Sequence, residues 1–331
     1  MLLSILNYNS YKWLPSNKEE NHCRFISSRG FAKSCNSRNR NLKSSENNLD
    51  SALLKHHEEG ATLYITTDAL PCFVQTKLLH VREPFVLVSG DSDLTVGINT
   101  GYSNTLSAID LNNLLSHPLL IAWYAQNLAV QHEKVFCLPI GLDYHTMNSR
   151  RFHVWGAFQT PFDQEQELCT VVKNAPALKD RELCGYCNWH HAVNRGDRAL
   201  AMEMADDTVA YYESDYLLRQ QSWIKNSKYL FTISPSGAGM DCHRTWEALF
   251  LGAIPIIKSS SISPLFLGLP VVILEEWNEL TTGRLHDEKQ RILNETFDFS
   301  SLYLSFWQDR FAGREPVRLE PMSYQQFLNS L

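Results

Sequence analysis

Hydrophobic positions along the chain fall into short blocks that alternate between a period of two and a period near 3.6. Leu63 to Thr67 reads as a strand, Cys72 to His80 as a helix, and Phe85 to Ser89 as a stronger strand. Asp110 to Leu115 carries helical spacing, and Leu119 to Tyr124 and Lys134 to Leu138 read as two further strands. Strands alternating with helices predict βαβ units and a parallel sheet, hence an α/β fold. Periodicity weakens from 148 to 177, as in a connection between domains. It resumes with strands at Leu183 to Trp189 and Val209 to Tyr212, separated by a helix from Asp197 to Met204. A helix over Tyr216 to Asn226 places Leu217, Gln220, Gln221 and Ile224 on one side. Tyr229 to Ile233 is another strand. A helix from about Cys242 follows, with Trp246, Leu249, Phe250 and Ala253 as its buried stripe and Gly252 near its end. Strands at Ile254 to Ile257 and Pro270 to Leu274 and a helix from Thr281 to Phe297 complete the pattern.

This pattern divides the chain into a first α/β domain at 51–150 and a second at 151–300. The tail, 301–331, has aromatic anchors at Tyr303, Phe306, Trp307, Phe311 and Phe327 and is expected to dock on the domains. Residues 1–50, rich in Asn, Ser, Lys and Arg, read as a flexible or loosely packed polar leader.

Composition narrows the function classes. A chain of 331 residues with 44% hydrophobic and 20% charged content is that of a soluble globular protein. A net charge of -6 provides no basic face, which argues against a nucleic-acid partner. Eight scattered cysteines point to reduced thiols rather than a disulfide framework. No apolar run approaches the length of a membrane span, and the first apolar stretch is too short for a signal peptide. A soluble, cytoplasmic protein is the expectation.

The candidate chemistry centres on Ser234-Pro-Ser-Gly-Ala-Gly239, a turn-rich loop between a strand and a helix. Such a loop at the carboxyl end of a strand is a place where anions bind. Arg244 can fork onto phosphate oxygens, and Glu247, one turn on, can accept from ribose hydroxyls. The bland reading is a glycine loop with no ligand and a surface ion pair between Arg244 and Glu247. Asp241 occupies an N-cap position and is expected to shape the turn while the loop amides and Arg244 take the anion. Asp91-Ser-Asp93 follows a strand with the D-x-D spacing that holds a divalent ion in many sugar transferases. Two aspartates in a turn also simply face water, and either one could serve as a general base. Cys184-Gly-Tyr-Cys187 with His190 and His191 resembles a zinc pattern, but the segment reads better as a buried strand whose cysteines pack as small hydrophobes. A nucleophile elbow, a P-loop and a G-x-G-x-x-G are all missing, which removes hydrolase, kinase and dehydrogenase readings.

The run Ser234 to Ile257, followed by Leu269-Pro-Val-Val-Ile-Leu274 and Trp277, resembles the nucleotide-sugar half of the exostosin-like glycosyltransferases. The likeness covers about 180 to 280 well and the N-terminal half loosely. It implies a GT-B architecture of two Rossmann-like domains facing across a cleft, with inversion at the anomeric carbon and no essential metal or other cofactor. Carried over by position, Ser234, Ser236 and Gly237 form the phosphate loop, Arg244 meets the diphosphate and Glu247 holds the ribose, with His243 also among the donor-binding residues. The partners implied are a nucleotide-sugar donor, UDP-linked, and a glycan acceptor. Asp91 and then Asp93 are the expected bases, with Asp68, Asp143 and His145 as cleft candidates and His80 as an outsider. A metal-dependent GT-A transferase using Asp91 and Asp93, or a non-catalytic sugar- or nucleotide-binding module, are the alternatives.

Overall fold

A computed structural model of the chain describes residues 19–54, 58–97, 103, 105–149 and 151–331. Its frame is two open parallel sheets. The first has β1 (Ala61–Thr66), β2 (Phe85–Gly90), β3 (Leu120–Ala125) and β4 (Val135–Cys137) in chain order. A short antiparallel hairpin, β5 (Phe152–His153) with β6 (Gly156–Ala157), lies between the sheets in sequence. The second contains β7 (Glu182–Cys187), β8 (Ala210–Tyr212), β9 (Tyr229–Ile233), β10 (Ile254–Lys258) and β11 (Val272–Leu274), in the order β11-β10-β9-β7-β8. Every pairing in both sheets is parallel. Each predicted strand is present within a few residues of its expected bounds.

The second sheet starts at β7, steps outward to β8, then returns to the other side of β7 and continues through β9, β10 and β11. The strand order therefore reverses between β7 and β9. In open α/β sheets the crevice outside the carboxyl ends at such a reversal is where ligands bind.

The first sheet buries both faces, and its alternation shows what covers each. Leu63, Ile65 and Leu87 point into one apolar cluster, with Phe73 of α2 (Leu70–Thr76) and Leu111 and Leu114 of α3 (Ala108–Leu115). The intervening Tyr64, Val86 and Val88 belong to the other cluster, with Phe31, Trp307 and Phe311. Those last residues come from α1 (Ser28–Ser34) and α10 (Leu304–Phe311). The expected loose leader is thus corrected for residues 19–50. Phe25, Ile26, Phe31 and Ala32 are fully buried, and Ser27 caps α1 by accepting from the Gly30 amide at 3.1 Å. A sheet with no second helical layer of its own must borrow one, and the two ends of the chain supply it. In the tail, Phe306, Trp307, Phe311 and Phe327 are buried, the last in α11 (Tyr324–Ser330).

Two expectations between the sheets need revision. The connection at 148–177 contains α4 (His145–Ser149, starting just before it) and a 13-residue helix, α5 (Pro161–Lys173), with Thr160 as N-cap and Pro161 at its first turn. The buried face of α5 includes Gln164 and Glu165, so its apolar period is masked. Glu165 accepts from the Arg24 and Phe25 amides and from Tyr144 Oη, which anchors the leader to the second domain. The helix α7 (Arg219–Asn226) presents Arg219, Trp223 and Asn226 to the interior, whereas Leu218 and Ile224 lie exposed. The polar Arg219 is the buried anchor there, for reasons that belong to the site.

Candidate functional site

The helix that follows β9 is α8 (His243–Leu251), ended by Gly252 in the left-handed conformation. Trp246, Leu249 and Phe250, with Ala253 just beyond, form the expected buried stripe and fix the helix on the sheet. Its start brings the loop 234–242 over the reversal between β7 and β9. There Ser236 meets Asp197, which leads into α6 (Arg198–Met204): the Ser236 amide donates to Asp197 Oδ1 at 2.7 Å, and Ser236 Oγ donates at 2.7 Å. Trp277 Nε1 donates to Asp197 Oδ2 at 2.6 Å. Ser236, placed by sequence in the phosphate loop, therefore ties that loop to the turn after β7.

Arg244 lies over the same loop. Its Nε donates to Ser234 Oγ at 3.2 Å and its Nη2 to the Pro235 carbonyl at 2.6 Å. Ser234 Oγ also contacts Thr245 Oγ1 at 2.8 Å. A second guanidinium, missed by sequence reasoning, stands opposite: Arg198 Nη2 lies 3.1 Å from where a Cβ of Gly237 would be. Arg198 Nε is buried without a hydrogen-bond partner among the described residues. Burial, and then the like charge of Arg244, make Arg198 easier to deprotonate than a free arginine. Two cations held near one glycine-bearing loop cost free energy unless an anion joins them. The signal in sequence is an arginine at the first turn of the helix after β7, legible only once β7 and β9 are known to be neighbours.

Arg244 and Glu247 do not pair. Glu247 turns instead toward a second cluster, where burial raises its carboxyl while Arg219 and His243 act in the opposite sense. That cluster is carried by residues 140–145. Gly141 adopts φ 68°, and a Cβ there would stand 2.5 Å from the Ile26 carbonyl oxygen, so only glycine permits this approach to the leader. Beyond it, His243 Nδ1 lies 2.7 Å from the Gly141 carbonyl oxygen, and His145 Nδ1 lies 3.2 Å from Asp143 Oδ1. Arg219 donates through Nη1 to the Asp143 carbonyl at 2.6 Å and to Gln164 Oε1 at 2.6 Å, with Nη2 3.5 Å from Asp143 Oδ2. Burial opposes the Asp143 charge, but His145, His243 and Arg219 together hold its carboxyl well below the usual range. Burial also lowers the His145 imidazole, against the opposing pull of Asp143 and Asp91. The ligand atoms of Asp143, His145 and His243 lie within 4.8 Å of one another. Next to them, the Arg219 guanidinium packs 4.9 Å from the Trp155 ring centroid on the β5–β6 hairpin, where Phe152 and Phe158 are exposed.

The remaining candidates separate. Asp91 is buried at the end of β2 with φ 55°, a strained conformation for a non-glycine residue. Its carboxylate is committed to Arg29 Nε at 3.3 Å and Ser44 Oγ at 2.8 Å, both from the leader. Ser44 Oγ in turn lies 3.3 Å from His145 Nε2, so Asp91 connects to the cluster through one hydroxyl. Asp93 is exposed, and its backbone packs against Gly239 across the domain seam. The two aspartates thus part, and no metal-ligand group among the described residues contains them. Asp68 is half-buried beyond β1 with Oδ2 lacking a partner among the described residues. His80 is exposed at the end of a short 3-10 turn after α2. Cys187 is fully buried in β7, and His191 stacks on Tyr216 at 4.3 Å, so the zinc pattern does not assemble among the described residues. All eight cysteines are free thiols.

Asp241 needs correction. Cys242 takes the N-cap position of α8, and Asp241 is buried with Oδ2 accepting from the Ile140 amide at 2.7 Å and Oδ1 from Trp246 Nε1 at 2.8 Å. Its own amide donates to Asn127 Oδ1 at 2.9 Å. The residue is a rivet between the segment after β4 and α8. Burial raises its carboxyl to about 6, although those hydrogen bonds oppose the rise. Because the folded value lies above the ordinary 3.8, the unfolded chain binds fewer protons between those limits. This contribution to stability is therefore full below pH 4 and is lost as pH rises toward 6. Asp241→Ala removes both acceptors and should cost about 2–4 kcal/mol in chemical denaturation, since two buried donors lose their partner. The gap between wild type and variant should narrow from pH 4 to pH 7.

The fold and the site define an α/β protein of two parallel sheets whose strand-end loops meet, with an arginine-lined loop and a histidine–carboxylate cluster at the junction. No protein-family model matches the chain, and no curated protein matches it in sequence. No helix among the described residues is long and apolar enough to cross a membrane.

Proposed function

We propose that this protein is an inverting glycosyltransferase of GT-B type that moves a sugar from a nucleoside-diphosphate donor to a hydroxyl of a glycan acceptor. The observation that carries the reading is the paired guanidinium of Arg244 and Arg198 about Gly237, at the reversal of strand order in the second sheet. A diphosphate there would satisfy both cations and stabilise the departing group as its charge develops. The exostosin-like resemblance of residues 234–277 supports the same assignment.

The geometry favours His145 over Asp91 as the base. Asp143 Oδ1 beside Nδ1 of His145 orients the ring, and Nε2, 3.3 Å from Ser44 Oγ, would take the acceptor proton once the acceptor hydroxyl replaces that contact. Asp91, already engaged by Arg29 and Ser44, suits a positioning role through Ser44. Glu247 remains the ribose candidate at the border of both clusters. The exposed Phe152 and the Trp155 ring over Arg219 offer a platform for the acceptor sugar. One step then follows: acceptor oxygen bonds to the anomeric carbon, its proton passes to His145 Nε2, and the bond to the diphosphate oxygen breaks.

A second reading has its own observation. Asp143, His145 and His243 are a carboxylate and two imidazoles at ligating distance, and the contact of His243 Nδ1 with the Gly141 carbonyl turns Nε2 toward the group. These residues would hold a divalent cation, which would act as a Lewis acid on the diphosphate or acceptor oxygen. Arg219 beside Asp143 weighs against it. The test is release of nucleoside diphosphate from a panel of UDP- and GDP-sugars with glycan acceptors, with and without EDTA. Transfer that survives EDTA supports the metal-free mechanism. Transfer abolished by EDTA and restored by manganese supports the second reading, and no turnover of any donor removes both.

A further inference from the structure

A cleft of about 710 Å³ lies away from both clusters, at the seam where the β4 edge of the first domain meets the second domain and α10. Leu128 and Phe136 from the first sheet's side, Leu265 and Leu267 from the second sheet's side, and Trp307 and Arg310 of α10 all line it. The two walls are tied together, since Ser261 Oγ donates to the Leu128 carbonyl at 2.7 Å.

Arg310 is the unusual member. Its guanidinium carbon lies 5.4 Å from the ring centroids of both Tyr124 and Phe136, 5.6 Å from Trp307 and 6.0 Å from Phe306. Its side chain makes no hydrogen bond or ion pair among the described residues. The neighbouring acids have other partners: Asp309 pairs with Arg314 at 2.6 Å, and Asp298 pairs with Arg318 at 2.8 Å, both of these last two also lining the cleft. Aromatic faces hold a cation but leave the donors in the guanidinium plane unmet. Arg310 is thus a positive fork with open donors in the lining of a largely apolar cleft.

We infer that this cleft binds a small carboxylate with an apolar body, the carboxylate forking onto Arg310 and the body lying between Phe136, Leu265 and Trp307. A planar carboxylate matches the two parallel donors of a guanidinium, and the surrounding low-polarity walls strengthen that bond while burying the ligand's hydrocarbon. The site is independent of the sugar-transfer reading and stands or falls separately from it.

Isothermal titration of the full chain with naphthalene-2-carboxylate and with the neutral naphthalene-2-methanol tests it. The carboxylate should bind about tenfold or more tightly than the alcohol, the factor expected of one charge-assisted hydrogen-bonded pair. In Arg310→Gln that preference should vanish. Leu267 lies on the rim at 76% exposure, so Leu267→Glu should fold normally and weaken the carboxylate by about tenfold through like-charge repulsion. Equal binding of the two probes, no binding of either, or an unchanged preference in Arg310→Gln would overturn the inference. Should Arg310→Gln disturb the aromatic box and fail to fold, undiminished carboxylate binding by Leu267→Glu would overturn it in the same way.

Discussion

His145→Ala is expected to lower turnover by about 10²- to 10⁴-fold, the usual worth of a positioned general base, while donor affinity stays unchanged. The reason is positional. His145 opens α4 directly after the segment that Gly141 lets pass beneath the leader, and Asp143 orients the ring from two residues away. Because burial lowers the His145 imidazole, the wild-type kcat/KM should hold at neutral pH and decline only below the ordinary histidine range. That acid limb should be absent from His145→Ala. Asp143→Asn should follow in the same direction with a smaller loss, since it disturbs the tautomer of the ring rather than removing it. Stopped-flow or discontinuous product assays across pH, with donor binding by titration, separate the outcomes. Loss of donor binding together with turnover would reassign His145 to holding the second domain or a metal. Retained turnover would return the base to Asp91.

Arg198→Ala should weaken nucleotide-sugar binding by about 10- to 100-fold, equivalent to one charge-assisted hydrogen bond to phosphate. Arg244→Ala should do the same, and the double variant should lose less than the product of the two, because both would serve one diphosphate. The two differ in what else they hold. Arg244 also donates to Ser234 and to the Pro235 carbonyl, so its removal loosens the loop and should lower kcat as well. Among the described residues, Arg198 donates from Nη1 to the Ala192 carbonyl and its Nε has no partner. Its loss should appear chiefly in affinity, and raising ionic strength should reproduce part of it in the wild type. Binding unchanged in Arg198→Ala would show that the diphosphate, if bound, lies elsewhere on the reversal. Binding unchanged in both variants would remove the nucleotide from this loop altogether.

Much of the fold was legible because each strand announces itself locally. Short β-branched and aromatic runs such as Phe85 to Ser89 and Tyr229 to Ile233, bounded by turn residues, favour strands, and several of the helices between them carry their own period. The helices misread at 148–177 and at α7 share one cause. Their buried faces include Gln164, Glu165 and Arg219, polar groups whose burial is stable only with partners far away in sequence. The leader was misread for the same kind of reason, since Phe25 and Phe31 become core residues only against a sheet face that has no helix of its own.

The sequence by itself determined the parallel α/β class, the strand–loop–helix element at 229–257 with Arg244 upon it, and the absence of a P-loop or dinucleotide fingerprint. These are properties of contiguous residues, set by side-chain period and turn chemistry. Only the tertiary structure decided that Arg198 faces Gly237, that Ser236 bonds Asp197, and that Asp241 rivets the segment after β4 to α8 instead of capping a helix. It likewise gathered Asp143, His145, His243, Arg219 and Glu247 from three separate stretches and left Asp91 and Asp93 apart. The physical reason is burial: charges removed from water need compensating charges and hydrogen bonds, and which residues supply them depends on strand order rather than on chain order.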